Sequence, residues 1–446
     1  MIETSWVLVL ALMVGMIVGM APGMSSVVGL VLCMPVIGHL PVTTILVFFA
    51  CYLCVVQYYG SVSALLLKIP GETSSLPVLT AGQDLRGQGL IKGLRLTALT
   101  SFVASVLATM VFALLFLLDR SAWLALFNTK VMVLFLITLL VLLITNGRWW
   151  FNIMLTSTGL IVANAHEIPM VQGLCATSQW LCGLLQPIDI TLILLGLYAV
   201  PLLWHQDVDA PDGPKIRRTS TPRWLSFWPY RWLTLKHSLL GMLVGLVPGM
   251  GVTLASNLSA RLESGVNARR RLAVMGAAEA SNNSATISST VPFLMLGLPI
   301  TASELYLDNW FSMFRNIQVN WQIFYQQIDL GLTAVPFYYY FIGCVLLVNM
   351  MAFYLSSRLT VLYQSLASLP SQFMNYVIKG SIMVALVSMI WANGISASSL
   401  VTILLPASCL GVWARSRQID VVALPISLVV GKLTFDTFAK AYYLYF

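Results

Sequence analysis

The chain has 446 residues, of which 59% are hydrophobic and only 9% are charged. Soluble domains contain about 25% charged residues, so this composition excludes an ordinary water-soluble protein. The apolar content equally excludes a disordered or fibrous chain. We therefore expect an all-α polytopic membrane protein in a lipid bilayer, with about 20 apolar residues for each crossing helix.

The net charge of +8 has a simple explanation in a membrane protein. Loops on the cytoplasmic side carry an excess of Lys and Arg, so a basic balance does not indicate binding to nucleic acid. We expect a multi-pass protein of a bacterial or archaeal cytoplasmic membrane and no nucleic-acid partner.

Apolar runs separated by polar gaps predict the membrane segments. Three of them contain a Pro-Gly pair, at Pro22-Gly23, Pro70-Gly71 and Pro248-Gly249, which breaks a helix where water or protein must satisfy the freed backbone groups. We interpret interrupted segments as re-entrant hairpins that return to the side they entered. The segments lie near residues 6–37, 41–58, 60–80, 96–118, 122–145, 150–164, 187–204, 238–258, 273–289, 290–310, 331–355, 374–393, 396–413 and 419–435.

The two halves of the chain contain related motifs. GMIVGMAPGM at residues 15–24 and GMLVGLVPGM at 241–250 are identical at 7 of 10 positions. A second Pro-broken element follows each motif, KIPGETSS at 68–75 and LGLPITAS at 296–303. We therefore predict a first membrane repeat at 1–204, a basic cytoplasmic connector at 205–236 and a second membrane repeat at 237–446.

The basic loops predict opposite orientations for the two repeats. In the first half the basic loop, residues 86–95, follows the second broken element, whereas in the second half the basic loop, 261–271, follows the first. An inverted-topology repeat with paired broken helices is typical of secondary transporters, whose substrate site lies near the bilayer midplane. We expect such an architecture, elevator-like in that the hairpins move against a scaffold.

The broken elements are candidate substrate-binding segments. A half-helix that begins inside the membrane presents unpaired N–H groups and a positive dipole end, which suit an anion. The same hydroxyls could instead cap the new helices, and Lys68 could pair with Glu72 rather than with substrate. The candidate residues are Gly23, Ser25, Ser26, Lys68, Gly71, Thr73, Ser74, Gly249, Gly251, Thr253, Pro299 and Thr301.

The segment from Met275 to Ser289 is unusually polar for a membrane passage. Glu279, Asn282 and Asn283 are clustered there, and ionisable residues inside a membrane are costly and usually functional. Their oxygens could bind Na⁺ or hold a proton-linked carboxylate. Hydrogen bonding between helices alone would also explain the two Asn residues. We expect no cofactor beyond this coupling ion, Na⁺ or H⁺.

The paired motifs together resemble those of one protein family, the large membrane subunit of tripartite tricarboxylate transporters. The similarity comprises GMIVGMAPG, the IPG element followed by the basic loop QDLRGQGLIKGLR, GLVPGMG, and EASNNSA leading to Gly297-Leu298-Pro299. The resemblance implies import of a small carboxylate driven by an ion gradient. It also implies two partners, a small membrane subunit and a periplasmic solute-binding protein.

Two alternatives from other classes use the same features. A lipid-carrier or lipid-phosphate translocase could be built from the same inverted hairpins, with a groove open to lipid between the tips, and a stand-alone channel is the other possibility. The sequence has no GxxxxGK[ST] phosphate loop and no HExxH motif, so we expect neither an ATP-driven pump nor an intramembrane hydrolase.

Overall fold

A computed structural model describes most of the chain, and the statements below concern the described residues. These are 2–20, 26–66, 72–82, 85, 87–115, 148–164, 228–247, 251–263, 268–329, 334–358 and 400–417, with single residues or short stretches within 133–144, 192–201, 376–383 and 419–438.

The first half is helical throughout its described part. Helix α3 is apolar on all sides and 25 residues long, which is enough to cross a bilayer. The 12-residue α2 is about 18 Å long, roughly half of the hydrocarbon thickness, so it cannot cross alone. The elements are α1 (Ile2–Met20), α2 (Ser26–Ile37), α3 (Val42–Leu66), a 3₁₀ turn (Thr73–Ser75), α4 (Leu76–Gly82), α5 (Gly87–Leu115) and α6 (Trp149–Ala163).

The second half begins with the same succession of a helix, a short helix and a long helix. A small antiparallel hairpin pairs Gln327 with Pro336 and Asp329 with Ala334. The elements are a 3₁₀ turn (Trp228–Tyr230), α7 (Arg231–Val244), α8 (Gly251–Leu262), α9 (Ala268–Leu296), α10 (Ala302–Arg315), α11 (Trp321–Phe324), β1 (Gln327–Asp329), β2 (Ala334–Pro336), α12 (Phe337–Arg358), a π-helical turn (Leu400–Leu404) and α13 (Leu405–Ser416).

Two predicted segment boundaries are wrong. Helix α3 continues through the expected gap at residues 58–60, because one Gly inside a helix costs only about 1 kcal/mol and does not break it. Helix α9 likewise continues through 289–290 with Pro292 inside it, and the break comes at 297–301. Helix α7 starts at Arg231 and so includes the last residues of the predicted connector, whose bounds stay a prediction.

Glycine pairs bring α1 and α7 close to long helices. A Cβ atom on Gly19 of α1 would lie 2.5 Å from the carbonyl oxygen of Val56 in α3. A Cβ atom on Gly245 of α7 would lie 2.5 Å from the carbonyl oxygen of Ala285 in α9. These approaches are possible only without side chains, so the two G-x-x-x-G motifs serve close helix packing.

The directions of the long helices follow from their contacts. Helix α3 runs opposite to α9, because Phe49 stacks edge-on against Phe293 near the start of α3 while Ser61, further along α3, faces Glu279. Helix α5 runs parallel to α9, as shown by contacts of Gly93 with Met275 and of Ser101 with Asn283.

Helix α12 runs opposite to α5. Phe353 stacks on Phe102, with ring centroids 5.0 Å apart, and Phe341 packs against Phe112 at 6.1 Å. We call the end of the bundle at which α5 and α9 begin the basic end, because Lys92, Arg95, Arg270 and Arg271 lie in the first turns of these helices.

Two short hairpins enter the bundle from opposite ends. The α7–α8 hairpin opens at the basic end, where Lys236 and His237 at its start both contact Glu263 at its finish. The α1–α2 hairpin opens at the other end, where α3 begins. There the guanidinium of Arg315, at the end of α10, donates to the carbonyl oxygens of Gly38 and Leu40.

Candidate functional site

The broken elements of the two halves meet inside the bundle. Ser303, in the first turn of α10, donates a hydrogen bond to the hydroxyl of Ser26 at the start of α2, 3.2 Å away. Ser256 of α8 donates to the carbonyl oxygen of Ser74 in the 3₁₀ turn, at 2.6 Å. Glu72 connects these two pairs. Its Oε1 accepts from the backbone N–H of Ser26 at 2.9 Å, and it immediately precedes the 3₁₀ turn that contains Ser74. We call these five residues the tip cluster.

Helix α3 holds the tip cluster from one side. The amide of Gln57 donates to Oε2 of Glu72 at 2.5 Å and accepts from the hydroxyl of Ser74 at 3.1 Å. The hydroxyl of Tyr52, one turn and a half earlier, donates to the carbonyl oxygen of Ser26. Both side chains are buried. The start of α2 and the 3₁₀ turn are thus both held by hydrogen bonds to one continuous helix, α3.

The fourth broken element is closed by its own residues. Gly297 ends α9 with φ of 67°, a left-handed conformation that favours glycine. Thr301 then caps α10, and the carboxylate of Glu304 accepts hydrogen bonds from the backbone N–H groups of Ile300 and Thr301. The Thr301 hydroxyl therefore has the capping role that the sequence left open.

Of the other predicted substrate-binding residues, some are described by the structure and others are not. Gly251 begins α8 and Pro299 is buried, while Thr253 is half-buried on α8. A Cβ atom on Gly251 would lie 2.7 Å from the carbonyl oxygen of Gly245, so this turn also requires glycine. Thr73 is described only as part of the 3₁₀ turn. Five residues lie outside the described part of the chain, namely Gly23, Ser25, Lys68, Gly71 and Gly249. The role of all these residues in binding substrate stays a prediction.

A second polar group is buried between α3, α5 and α9. Oε2 of Glu279 accepts from the hydroxyl of Ser101 at 2.8 Å and from the amide of Asn283 at 3.1 Å. The same amide also donates to the Ser101 hydroxyl at 2.9 Å. Glu279 and Ser101 are fully buried. Because α5 belongs to the first half and α9 to the second, this group lies between the halves.

Several buried atoms of this group lack hydrogen-bond partners within the described chain. They are Oε1 of Glu279, Oδ1 of Asn283, Oγ of Ser105 and both polar atoms of the Asn282 amide. Buried polar groups are nearly always paired, in many cases with ordered water or an ion, so these atoms form a candidate site for a small polar ligand. Together with Ser101 we call these residues the Glu279 cluster.

A metal site rich in acidic or sulfur ligands is absent from the described residues. No group of three or more His, Cys, Asp or Glu side chains could hold a metal ion there. The Glu279 cluster instead offers one carboxylate with amide and hydroxyl oxygens, which are the ligands of hard cations. The predicted role of Glu279, Asn282 and Asn283 in binding an ion stays a prediction.

Comparison with known proteins gives a family match over most of the chain. Residues 6–426 match the model of the Tripartite tricarboxylate transporter TctA family. The chain belongs to this family. TctA proteins are transporters and not enzymes, and the predicted resemblance is confirmed.

One curated relative of this TctA-family chain comes from Agrobacterium vitis. It is described as an uncharacterized 52.8 kDa protein in the TAR-I ttuC' 3'region, and it is 26% identical over 300 residues. The match covers 64% of this chain and 59% of the relative, less than two thirds of its length. No solved structure matches the chain.

Sequence reasoning about this TctA-family chain did not include Gln57 or Ser101 among its site residues. Gln57 is an isolated amide in an apolar helix, a signal that could have been noticed. Ser101 has no such signal, because Ser is common in membrane helices and only the contact with Glu279 distinguishes it. Glu72 was considered only as a partner of Lys68, yet its described partners are Ser26 and Gln57.

Proposed function

We propose that this protein is the permease subunit of an importer for a small organic anion, a tricarboxylate or another carboxylate, working by ion-coupled secondary transport. Membership of the TctA family supports the class of substrate. The observation that carries the proposal is the tip cluster, in which two broken elements from each half meet. A transporter needs its substrate site where the two halves meet near the midplane.

The chemistry of the tip cluster suits a carboxylate. The first backbone N–H of α2 already donates to a carboxylate oxygen, that of Glu72. The hydroxyl groups of Ser26 and Ser303 lie in the first turns of α2 and α10, and that of Ser256 lies in the second turn of α8. Helix starts and hydroxyl donors together stabilise negative charge where water is scarce.

The directions of the helices support an inverted repeat. Helices α3 and α9 occupy equivalent places in the two halves and run in opposite directions, and so do α5 and α12. The tips also exchange partners between halves, because α2 meets α10 while the turn before α4 meets α8. We infer that the two hairpin pairs move against the long helices in an elevator-like cycle.

The Glu279 cluster is our proposed site for the coupling ion, Na⁺ or H⁺. A short path connects it to the tip cluster. Ser281 of α9, two residues from Glu279, donates to the carbonyl oxygen of Ala255 in α8. The next residue, Ser256, contacts Ser74. Ion binding on α9 could thus change the position of α8 and of the tips.

The proposed function also implies partner proteins and an orientation in the membrane. We expect a small membrane subunit in the same bilayer and a periplasmic solute-binding protein that delivers the carboxylate. The basic end then faces the cytoplasm of a bacterial or archaeal cell, in agreement with the distribution of Lys and Arg.

The test is uptake of radiolabelled di- and tricarboxylates by cells that express the chain with its partner subunits. Ser303→Ala removes the hydroxyl that joins α10 to α2, and uptake should fall about tenfold while the protein remains in the membrane. Thr158→Ala is the control, because this exposed hydroxyl on α6 contacts only its own helix. Equal uptake by both variants would contradict a substrate site at the tips.

A further inference from the structure

The carboxylate of Glu72 lies at the start of α2, where the proposed function places a carboxylate of the substrate. The N–H of Ser26 is the first in its helix and has no acceptor within that helix. Oε1 of Glu72 accepts from this N–H at 2.9 Å, and the side chain of Ser26 faces the same carboxylate. A carboxylate of the protein therefore already occupies the anion-binding start of α2.

Gln57 supplies a second donor to the same carboxylate from α3. Its side chain is 6% exposed, and its amide nitrogen donates to Oε2 of Glu72 at 2.5 Å. The hydroxyl of Ser74 donates to the oxygen of this amide at 3.1 Å, which fixes the end of the amide that faces Glu72. A helix start and a buried, oriented amide thus bind the two oxygens of one carboxylate group.

Neighbouring aromatic side chains hold the start of α2 in place. The hydroxyl of Tyr52 donates to the carbonyl oxygen of Ser26 at 2.8 Å. Tyr52 is fully buried and stacks on Phe48, with ring centroids 5.6 Å apart. A Cβ atom on Gly29 would collide with the Tyr52 hydroxyl, so the absence of a side chain at this position makes the contact possible. These contacts do not involve Glu72, and we expect the N–H of Ser26 to keep its place when Glu72 leaves.

We propose that Glu72 is an internal competitor of the substrate, whose carboxylate holds the place of one substrate carboxylate and leaves when the substrate binds. Two carboxylates do not share these donors, because like charges in contact repel strongly where water is scarce. The inference rests on the proposed function for the identity of the substrate. The carboxylate subsite formed by Ser26 and Gln57 does not depend on it.

Displacement of Glu72 links substrate binding to movement of the tips. The hydrogen bond between Ser26 and Glu72 ties α2 to the turn before α4, and Ser74 in this turn accepts from Ser256 of α8. A substrate that takes the donors of Glu72 releases the first broken element from the second. Such a difference in contacts between two states is what allows a ligand to shift a conformational equilibrium.

Chemical rescue tests the subsite on the purified full chain. Glu72→Ala removes a CH₂–COO⁻ group, and acetate supplies the missing atoms. We expect the variant to unfold at a lower temperature than the wild type, and acetate to restore the unfolding temperature until the site is saturated. Acetamide has the same shape without the charge and should have no effect. The wild type should not respond to acetate, because Glu72 occupies the place.

Donor variants locate the bound acetate. In the Glu72→Ala background, Gln57→Leu should raise the dissociation constant of acetate about tenfold, since a hydrogen bond to a charged group is lost. Thr80→Ala is the matched control in the same background, because this hydroxyl contacts only its own helix. The subsite is wrong if acetate does not rescue, if acetamide rescues equally, or if both double variants bind acetate alike.

Uptake kinetics test the competition. Glu72→Gln keeps the size of the side chain without its charge, so KM for the transported carboxylate should fall. The fall should be about tenfold if Glu72 holds the donors in about nine of ten wild-type molecules. A structural role would lower abundance and leave KM unchanged, so an unchanged or higher KM would overturn the competition. This variant also decides the matter if Glu72→Ala does not fold. If the wild type imports no di- or tricarboxylate, the proposed function fails, and acetate rescue still decides the subsite.

Discussion

Asn282 combines complete burial with two unpaired polar atoms, a combination that costs stability. Its relative exposure is 1%, and neither its oxygen nor its nitrogen has a partner in the described chain. Leaving such a group unpaired costs about 1–3 kcal/mol. This cost in stability is the reason for testing whether Asn282 binds the coupling ion.

Replacing Asn282 with Leu therefore separates stability from function. The variant should unfold at the same or a higher temperature, since it removes about 1–3 kcal/mol of unpaired polar burial. The dependence of uptake on Na⁺ or pH should weaken strongly. Asn349→Leu is the control, because Asn349 is equally buried and also has an unpaired Oδ1, but it lies on α12 and its amide nitrogen donates to its own helix. Loss of folding in the Asn282 variant, with unchanged ion dependence of the surviving protein, would show a structural role.

Gln57 is the residue that joins α3 to the second broken element. Gln57→Leu should leave Glu72 and Ser74 each without one partner and lower stability by about 1–3 kcal/mol for each group. Uptake should fall further than abundance, because the tip of that element loses its anchor. Thermal unfolding and uptake would be compared with Thr80→Ala, whose hydroxyl contacts only its own helix on the same hairpin. Identical behaviour of the two variants would speak against an anchoring role.

At the scale of elements, close helix packing depends on where a glycine lies and not on its presence. Gly245 faces backbone atoms of α9 that cannot move aside, whereas a Cβ atom on Gly60 of α3 would have no neighbouring heavy atom within 4 Å. Gly245→Ala should destabilise the protein by about 1–3 kcal/mol, and Gly60→Ala should stabilise it by about 0.5–1 kcal/mol. Thermal unfolding of the two variants in detergent measures both effects. Similar unfolding temperatures would contradict the packing role of the motif.

The elements also show what a sequence can and cannot predict. The family resemblance followed from local motifs, and the interruption at residues 297–301 followed from local chemistry, because Gly297 and Pro299 disfavour a continuing helix. Gly60 and Pro292 resemble breaks locally, yet neighbouring helices keep α3 and α9 continuous. The pairing of Ser26 with Ser303 spans 277 residues, and no local pattern specifies such a contact. Only the tertiary arrangement determines it.

At the scale of the whole molecule, the bundle has two chemically distinct ends, and this gives a topology test. Lys92 and Arg270 are exposed at the basic end and Asn316 is exposed at the other. Cysteines placed singly at Lys92 and Arg270 should not react with an impermeant thiol reagent in intact cells, whereas Asn316→Cys should react. Permeabilised cells supply the control. Strong labelling of either basic-end cysteine in intact cells would exclude the inverted repeat with a cytoplasmic basic end.

Helix α3 raises a question of timing during synthesis. Its most apolar window is entirely enclosed by protein, so in the finished molecule it does not contact lipid. Yet α9 and α12, which cover part of it beside α1, are translated more than 200 residues later. In the interval α3 must leave the insertion machinery and rest among acyl chains, which requires its high hydropathy and tolerates few groups like Gln57. The apolar surface of α3 thus first contacts lipid where it later contacts the second half of the chain, and part of its burial is an exchange of lipid for α9 and α12.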